Sequence, residues 1–246
     1  MIQQDQPTYS SPSESSKRQE RAQRILNAAA TLILRWGYNK TTIDDVARQA
    51  GVAKGTIYLH WKTREDLFMA LMQRERLALT ADLKQKIAAD PAGATLHGMM
   101  KYSALALMQR PLLKAVLLRD MDVIGKLAHS EQSSDAYAER LAGFTIYLEF
   151  LREHKLVRTD LSLHAQVYIL SAVFMGFFLV APLMPPELVL SDVELADLLA
   201  ETVRCTLGSS RAVAADEVQT VSHSFMQYLN RDIASVDEQF QPGLES

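Results

Sequence analysis

The stretch Thr41–Leu71, TTIDDVARQAGVAKGTIYLHWKTREDLFMAL, decides how this chain folds. Thr42 stands before an apolar-periodic run (Ile43, Val46, Ala47, Ala50), and Asp45 follows three residues later. That is the pattern of a helix N-cap with a carboxylate in the first turn. Gly51 falls where this short helix must stop, because a residue without Cβ takes the left-handed conformation that closes a helix C-terminus. Val52 then points back to a small core, and the spacing predicts a second helix over Lys54–Trp61 with Ile57 and Trp61 facing inward. Thr63 caps a further helix, with Glu65 and Asp66 in its first turn and Leu67, Phe68 and Leu71 returning to the core.

The second helix leaves an outward face of Lys54, Gly55, Thr56, Tyr58, Leu59, His60 and Lys62, which carries cations, hydroxyls and rings but no carboxylate. Such a face suits a polyanion. A recognition helix enters the DNA major groove N-terminus first, where free backbone N–H groups and the helix dipole favour phosphate. Gly55 and Thr56 are small enough to allow that approach. With Thr42 and Arg64 at the neighbouring helix starts, these residues form the expected DNA-binding set.

At AGVAKGTIYLHWKTREDL the chain resembles the TetR family of bacterial transcriptional regulators, over roughly Lys17–Arg76. The resemblance is specific because positions with different physical jobs agree at once. It implies an all-α fold: a three-helix DNA-binding domain with a helix-turn-helix, plus a larger helical ligand-binding and dimerisation domain. Two positions depart from the family pattern. Ala53 stands where the family often has Ser or Thr, removing an N-cap worth about 1 kcal/mol, and Trp61 replaces the usual Phe as a larger plug for the small core.

The preceding segment supports the same design. Ala22, Ile25, Leu26, Ala29, Leu32, Ile33 and Trp36 recur at helical spacing before Gly37, and Ser16 with Gln19 resembles a capping box. Lys17, Arg18, Arg21 and Arg24 lie on the polar side and N-terminus of that helix, part solvated surface and part phosphate contact. Between Lys17 and Arg76 twelve cations stand against six carboxylates, whereas the remainder carries fourteen against twenty-three, for a net charge of −3 overall. A basic N-terminal quarter on an acidic body favours nucleic acid at one end only, with binding that weakens steeply as salt rises.

The 246 residues, 48% of them hydrophobic, suffice for one small domain and one of ordinary size. The organisation expected is a disordered tail over 1–15, a DNA-binding domain over 16–63, an effector-binding and dimerisation domain over 64–235, and a tail over 236–246. The single cysteine, Cys205, permits neither an intramolecular disulfide nor a cysteine metal cluster, which fits a reducing cytoplasm. His97, His129, His154 and His164 lack metal-ligand spacing, so neither metal nor cofactor is expected. The N-terminus lacks the apolar stretch of a signal peptide.

The body reads as helices over 63–89, 94–109, 111–127, 134–154, 162–181, 191–207 and 213–234, with breaks at Asp90-Pro91, Arg110-Pro111, Pro185-Pro186 and Gly208. Val167–Met184 is uncharged and nearly all apolar. It is short for a membrane span, contains Pro182 and lacks flanking cations, so it reads as a helix buried on several sides. In the resembled family the two penultimate helices pair with their twofold mates. Here 162–181 and 191–207 occupy that place, with Ser191 and Glu194 forming a capping box for the second, which implies a homodimer and no membrane.

The resemblance further implies a repressor in the bacterial cytoplasm, at the nucleoid when DNA-bound. Its twofold recognition helices would meet a palindromic double-stranded operator and be released by a small-molecule effector. The family's pocket lies among helices that here span 94–178, where Tyr102, Phe144, Tyr147 and Phe174 are the wall candidates for a largely apolar ligand. Apolar residues at helical spacing are equally explained as core. Two other readings compete: an all-helical enzyme whose basic end binds an anionic substrate or RNA, and an architectural DNA binder without an effector. Against the enzyme, the chain shows no HExxH, GxGxxG, P-loop or GxSxG signature and no convincing carboxylate pair.

Overall fold

The computed structural model describes residues 14–125, 131–209, 214 and 216–227, with the backbone alone over 131–140. Most of the predicted tail 1–15 and all of 236–246 lie outside the described residues, as does His129.

Helix α1 (Glu14–Trp36) buries Ile25, Leu26, Ala28, Ala29, Leu32 and Ile33 along one stripe. It is already helical at Glu14, so Ser16 lies inside the first turns and does not cap it. Trp36 is 41% exposed rather than core, because the helix stops there and Gly37 swings the chain away with φ 78°. A 3-10 turn (Tyr38–Lys40) leads to α2 (Ile43–Ala50) and α3 (Lys54–Tyr58). Long α4 (Arg64–Ala89) starts against α1 and ends against α5 (Leu96–Met108), with a 3-10 turn (Pro91–Ala94) between α4 and α5. The expected helix over 111–127 is two pieces, α6 (Pro111–Leu117) and α7 (Met121–Ile124). Arg119 between them takes φ 51°, and the Asp120 carboxylate accepts the backbone N–H groups of Asp122 and Val123 to start α7 afresh.

Helices α8 (Glu131–Glu153), α9 (Leu163–Val180), α10 (Asp192–Leu207) and α11 (216–227) complete the body. α10 packs along α5 and beside α9. Among the described residues the only extended pairing is an isolated bridge between Val157 and Gly208. The buried network joining α8 to α9 is polar. Gln166, fully buried, accepts from Arg152 Nη1 at 2.5 Å and donates to the Arg158 carbonyl, while Arg152 Nη1 also donates to the Leu161 carbonyl at 2.8 Å. A buried amide whose donor and acceptor are both matched fixes α9 in one register.

α9 corrects one expectation. Leu163–Leu183 is long and apolar enough to cross a membrane by length and composition, yet only 17% of its most apolar window is buried within the chain. Its buried side is Gln166, Leu170 and Phe178, whereas Tyr168, Ala172, Leu179 and Val180 face out. Val167, Ile169, Val173, Phe174 and Phe177 are partly buried against the core, so among the described residues the chain leaves a stripe of this apolar helix open.

Candidate nucleic-acid interface

The first helix of the turn is held by its own side chains. Thr42 Oγ1 accepts the Asp45 N–H at 3.2 Å, and the Asp45 carboxylate accepts the Thr42 N–H at 3.3 Å and its hydroxyl at 2.6 Å. These bonds hold the Asp45 carboxyl below its usual range. Gly51 closes the helix at φ 65°, ψ 40°, and the Val52 N–H reaches back to the Ala47 carbonyl at 3.0 Å. A capping box at one end and a left-handed glycine at the other leave the chain no option but to turn.

α3 is shorter than the predicted Lys54–Trp61. It covers five residues, after which the N–H groups of His60 and Trp61 both bond the Ile57 carbonyl at 2.9 Å in a tightened turn. The extended backbone that Thr63 needs to cap α4 (φ −128°, ψ 167°) follows too soon for another helical turn. Ala53 caps α3 without a side-chain bond. Ile57 is fully buried and Trp61 half-buried against the same core.

The remaining residues of the short helix and its turn open outward. Leu59 is 73% and Tyr58 46% exposed, Lys54, Gly55 and Lys62 are exposed, and Thr56 and His60 are half-buried. Nothing lies within 4 Å of the Cβ direction at Gly55, so backbone can approach that point unhindered. Thr42 is exposed beside them. The His60 ring sits 5.2 Å from the Trp61 ring, and burial followed by the positive fields of Arg18 and Arg21 lowers its pKa.

Two side chains near this face do more than the sequence discloses. Arg64 stacks its guanidinium 4.1 Å over the Tyr38 ring and donates from Nη1 to the carbonyls of Thr41 (3.3 Å) and Tyr38 (3.5 Å). The Tyr38 hydroxyl, buried with its ring, donates to Glu65 at 2.7 Å, and burial first and this bond second push its pKa up to about 12. Arg64 is therefore a half-buried brace between α4 and the loop before α2. An arginine beside an aromatic residue 26 positions away is no local signal.

The second is Asp44. Lys54 Nζ, at the start of α3, donates to Asp44 Oδ2 at 2.8 Å, and the pair lies in solvent. The carboxylate raises the lysine pKa. The face is free of acid along α3 itself, but α2 places one against its leading cation.

The effector candidates separate into pairs. Tyr102 lays its ring against Gly93 and donates its hydroxyl to Asp90 at 2.8 Å. Tyr147 is buried, donates its hydroxyl to the Ala94 carbonyl and packs 4.5 Å from the Phe225 ring. Both phenols thus grip the Pro91–Ala94 turn. Phe144 and Phe174 are half-buried against the core, the latter 5.2 Å from Phe178. An open cleft of about 380 Å³ lies elsewhere, where Leu34, Trp36 and Lys40 of the head face Met121 and Val123 of α7.

A family model for bacterial regulatory proteins of the tetR family matches residues 25–71, which span α1 from its first buried residue through the turn into α4. The chain carries a TetR-family DNA-binding domain. Over 70 residues the chain is 37% identical to the fatty acid metabolism regulator protein of Bacillus subtilis, covering 26% of this chain and 36% of that protein. Over 120 residues the chain is 27% identical to the HTH-type transcriptional regulator AcrR of Shigella flexneri, covering 47% and 56% respectively. The chain thus spans about a third to a half of the length of these two relatives. A solved structure titled as a SmeT–triclosan complex superposes with a TM-score of 0.62 at 18% identity, covering 79% of this chain and 95% of that one. At that identity the likeness shows the fold alone: an all-helical body following a helix-turn-helix head.

Proposed function

We propose that this chain is a TetR-type transcriptional regulator rather than an enzyme, acting in the bacterial cytoplasm. It binds a palindromic operator as a homodimer, represses, and is released by a small, largely apolar effector. The observation that carries the reading is the exposed, acid-free surface of α3, presented between the left-handed glycine that closes α2 and the capping box that opens α4, with open backbone at Gly55. Thr42, Lys54, Gly55, Thr56, Tyr58, Leu59, His60 and Lys62 make up the contact surface, and Arg64 supports it from behind. We take 16–63 as the DNA-binding unit and 64–235 as the effector and dimerisation unit, with α4 running from one into the other.

Dimerisation is supported by the open side of α9. Tyr168, Ala172, Gly176 and Leu179 recur at helical spacing, and nothing lies within 4 Å of the Cβ direction at Gly176, so a mate helix can approach closely. A twofold mate suits this face better than a bilayer, because the same helix buries a matched amide at Gln166 and neighbours the acidic start of α10. Two copies would place two α3 helices in successive major grooves about 34 Å apart. Light scattering at micromolar concentration should return the dimer mass; a monomer would remove the operator geometry. An effector is supported by analogy with the triclosan-bound neighbour, and Phe144 and Phe174 are better placed to meet it than the two tyrosines tied to the turn.

Lys54→Ala and Tyr58→Ala should each weaken operator binding by roughly 1 to 3 kcal/mol per contact while the dimer persists, read by fluorescence anisotropy. Normal binding by both variants would mean that α3 is not the recognition element.

A further inference from the structure

Asp44 has no role in closing its own helix. The capping box of α2 belongs to Thr42 and Asp45, and the Asp44 side chain, exposed at 58%, turns instead to Lys54 at 2.8 Å. Lys54 begins the recognition helix and is itself only half-covered. An exposed pair of this kind contributes little to folding, so its consequence falls on what Lys54 can do for a ligand.

We propose that Asp44 is a specificity-determining residue: it occupies the leading cation of the recognition helix with a carboxylate, so that random DNA cannot use that cation freely. This rests on the DNA-binding reading of α3. Non-specific affinity comes from lysines and arginines that displace condensed counterions from phosphate. A lysine already paired to a carboxylate must break that pair first, and the carboxylate then lies beside the phosphate it has been exchanged for. The exchange is compensated only where the major groove offers Lys54 a matched acceptor, such as a base edge, and the rest of α3 docks with it. Asp44 therefore lowers affinity for any duplex and lowers it most for the wrong one.

The test compares wild type, Asp44→Asn, Lys54→Ala and the double variant on a random-sequence duplex and on an operator selected by wild type from a random duplex pool. Asp44→Asn should bind the random duplex about tenfold more tightly at 50 mM salt, with a gain below about twofold at 300 mM as screening takes over. Its slope of log affinity against log salt should steepen by one to two units, about one phosphate per subunit at ~0.9 each. The operator should gain about threefold less than the random duplex does, and the gain should largely vanish on the Lys54→Ala background. Absence of any gain, a gain equal on both backgrounds, or an unchanged ratio of operator to random affinity would overturn the proposal. Should wild type bind neither duplex in a salt-sensitive way, the DNA-binding reading itself fails, which is a different result. A pair that merely steadied the turn would lower the melting temperature equally in both single variants and leave the salt slope unmoved.

Discussion

Gly37→Ala is expected to destabilise the chain by about 3 kcal/mol, a fall in melting temperature of roughly 6 to 12 °C for a protein of this size. Gly37 ends α1 at φ 78°, ψ 158°, backbone that only glycine occupies without strain. A Cβ built there runs into the Asp122 carbonyl oxygen on α7, well inside van der Waals contact. Gly125, at the far end of α7, is hemmed in similarly by Asn39, 2.6 Å from its Cβ direction, and takes φ 53°. Two close backbone approaches therefore seat α7 on the corner between α1 and the 3-10 turn. Gly55→Ala is the contrast, because its surroundings are open and its backbone helical. That variant should keep its melting temperature or gain slightly, by up to about 1 kcal/mol, while losing affinity for DNA. Thermal unfolding of the two variants side by side decides the matter; a Gly37→Ala protein as stable as wild type would mean that α7 is not seated there.

Ala172→Glu should weaken the dimer by more than 100-fold and lower operator affinity by at least as much. The residue is exposed in the middle of the α9 stripe, so a carboxylate there costs the isolated chain almost nothing. Across a twofold interface the same substitution occurs twice, and each unpaired carboxylate costs several kcal/mol when taken out of water. Sedimentation velocity should show the monomer at concentrations where wild type pairs, and far-ultraviolet circular dichroism should show helix content retained. A dimer that survives the substitution would place the interface on another face. The exposed apolar residues at Leu183, Leu188 and Val189 would be the next to test.

The sequence by itself determined the helix-turn-helix, because every device that builds it is local. Thr42 with Asp45, Thr63 with Asp66 and Ser191 with Glu194 each close a helix start within three residues, and Gly51 ends α2 through its own φ. The outward set on α3 followed from the same short spacing, and the structure leaves Lys54, Gly55, Tyr58, Leu59 and Lys62 exposed. Local signals were weaker where two competed: α3 stops at Tyr58 because Thr63 demands extended backbone, and α6 parts from α7 where Asp120 offers a second cap. What only the tertiary structure decided are contacts between groups far apart along the chain. Arg64 is laid over Tyr38, Asp44 is brought against Lys54, Tyr102 and Tyr147 are tied to the turn at 91–94, and α9 keeps a stripe open among the described residues. Periodicity states that a face is apolar; what covers that face depends on where the other helices lie, which no spacing within one helix encodes.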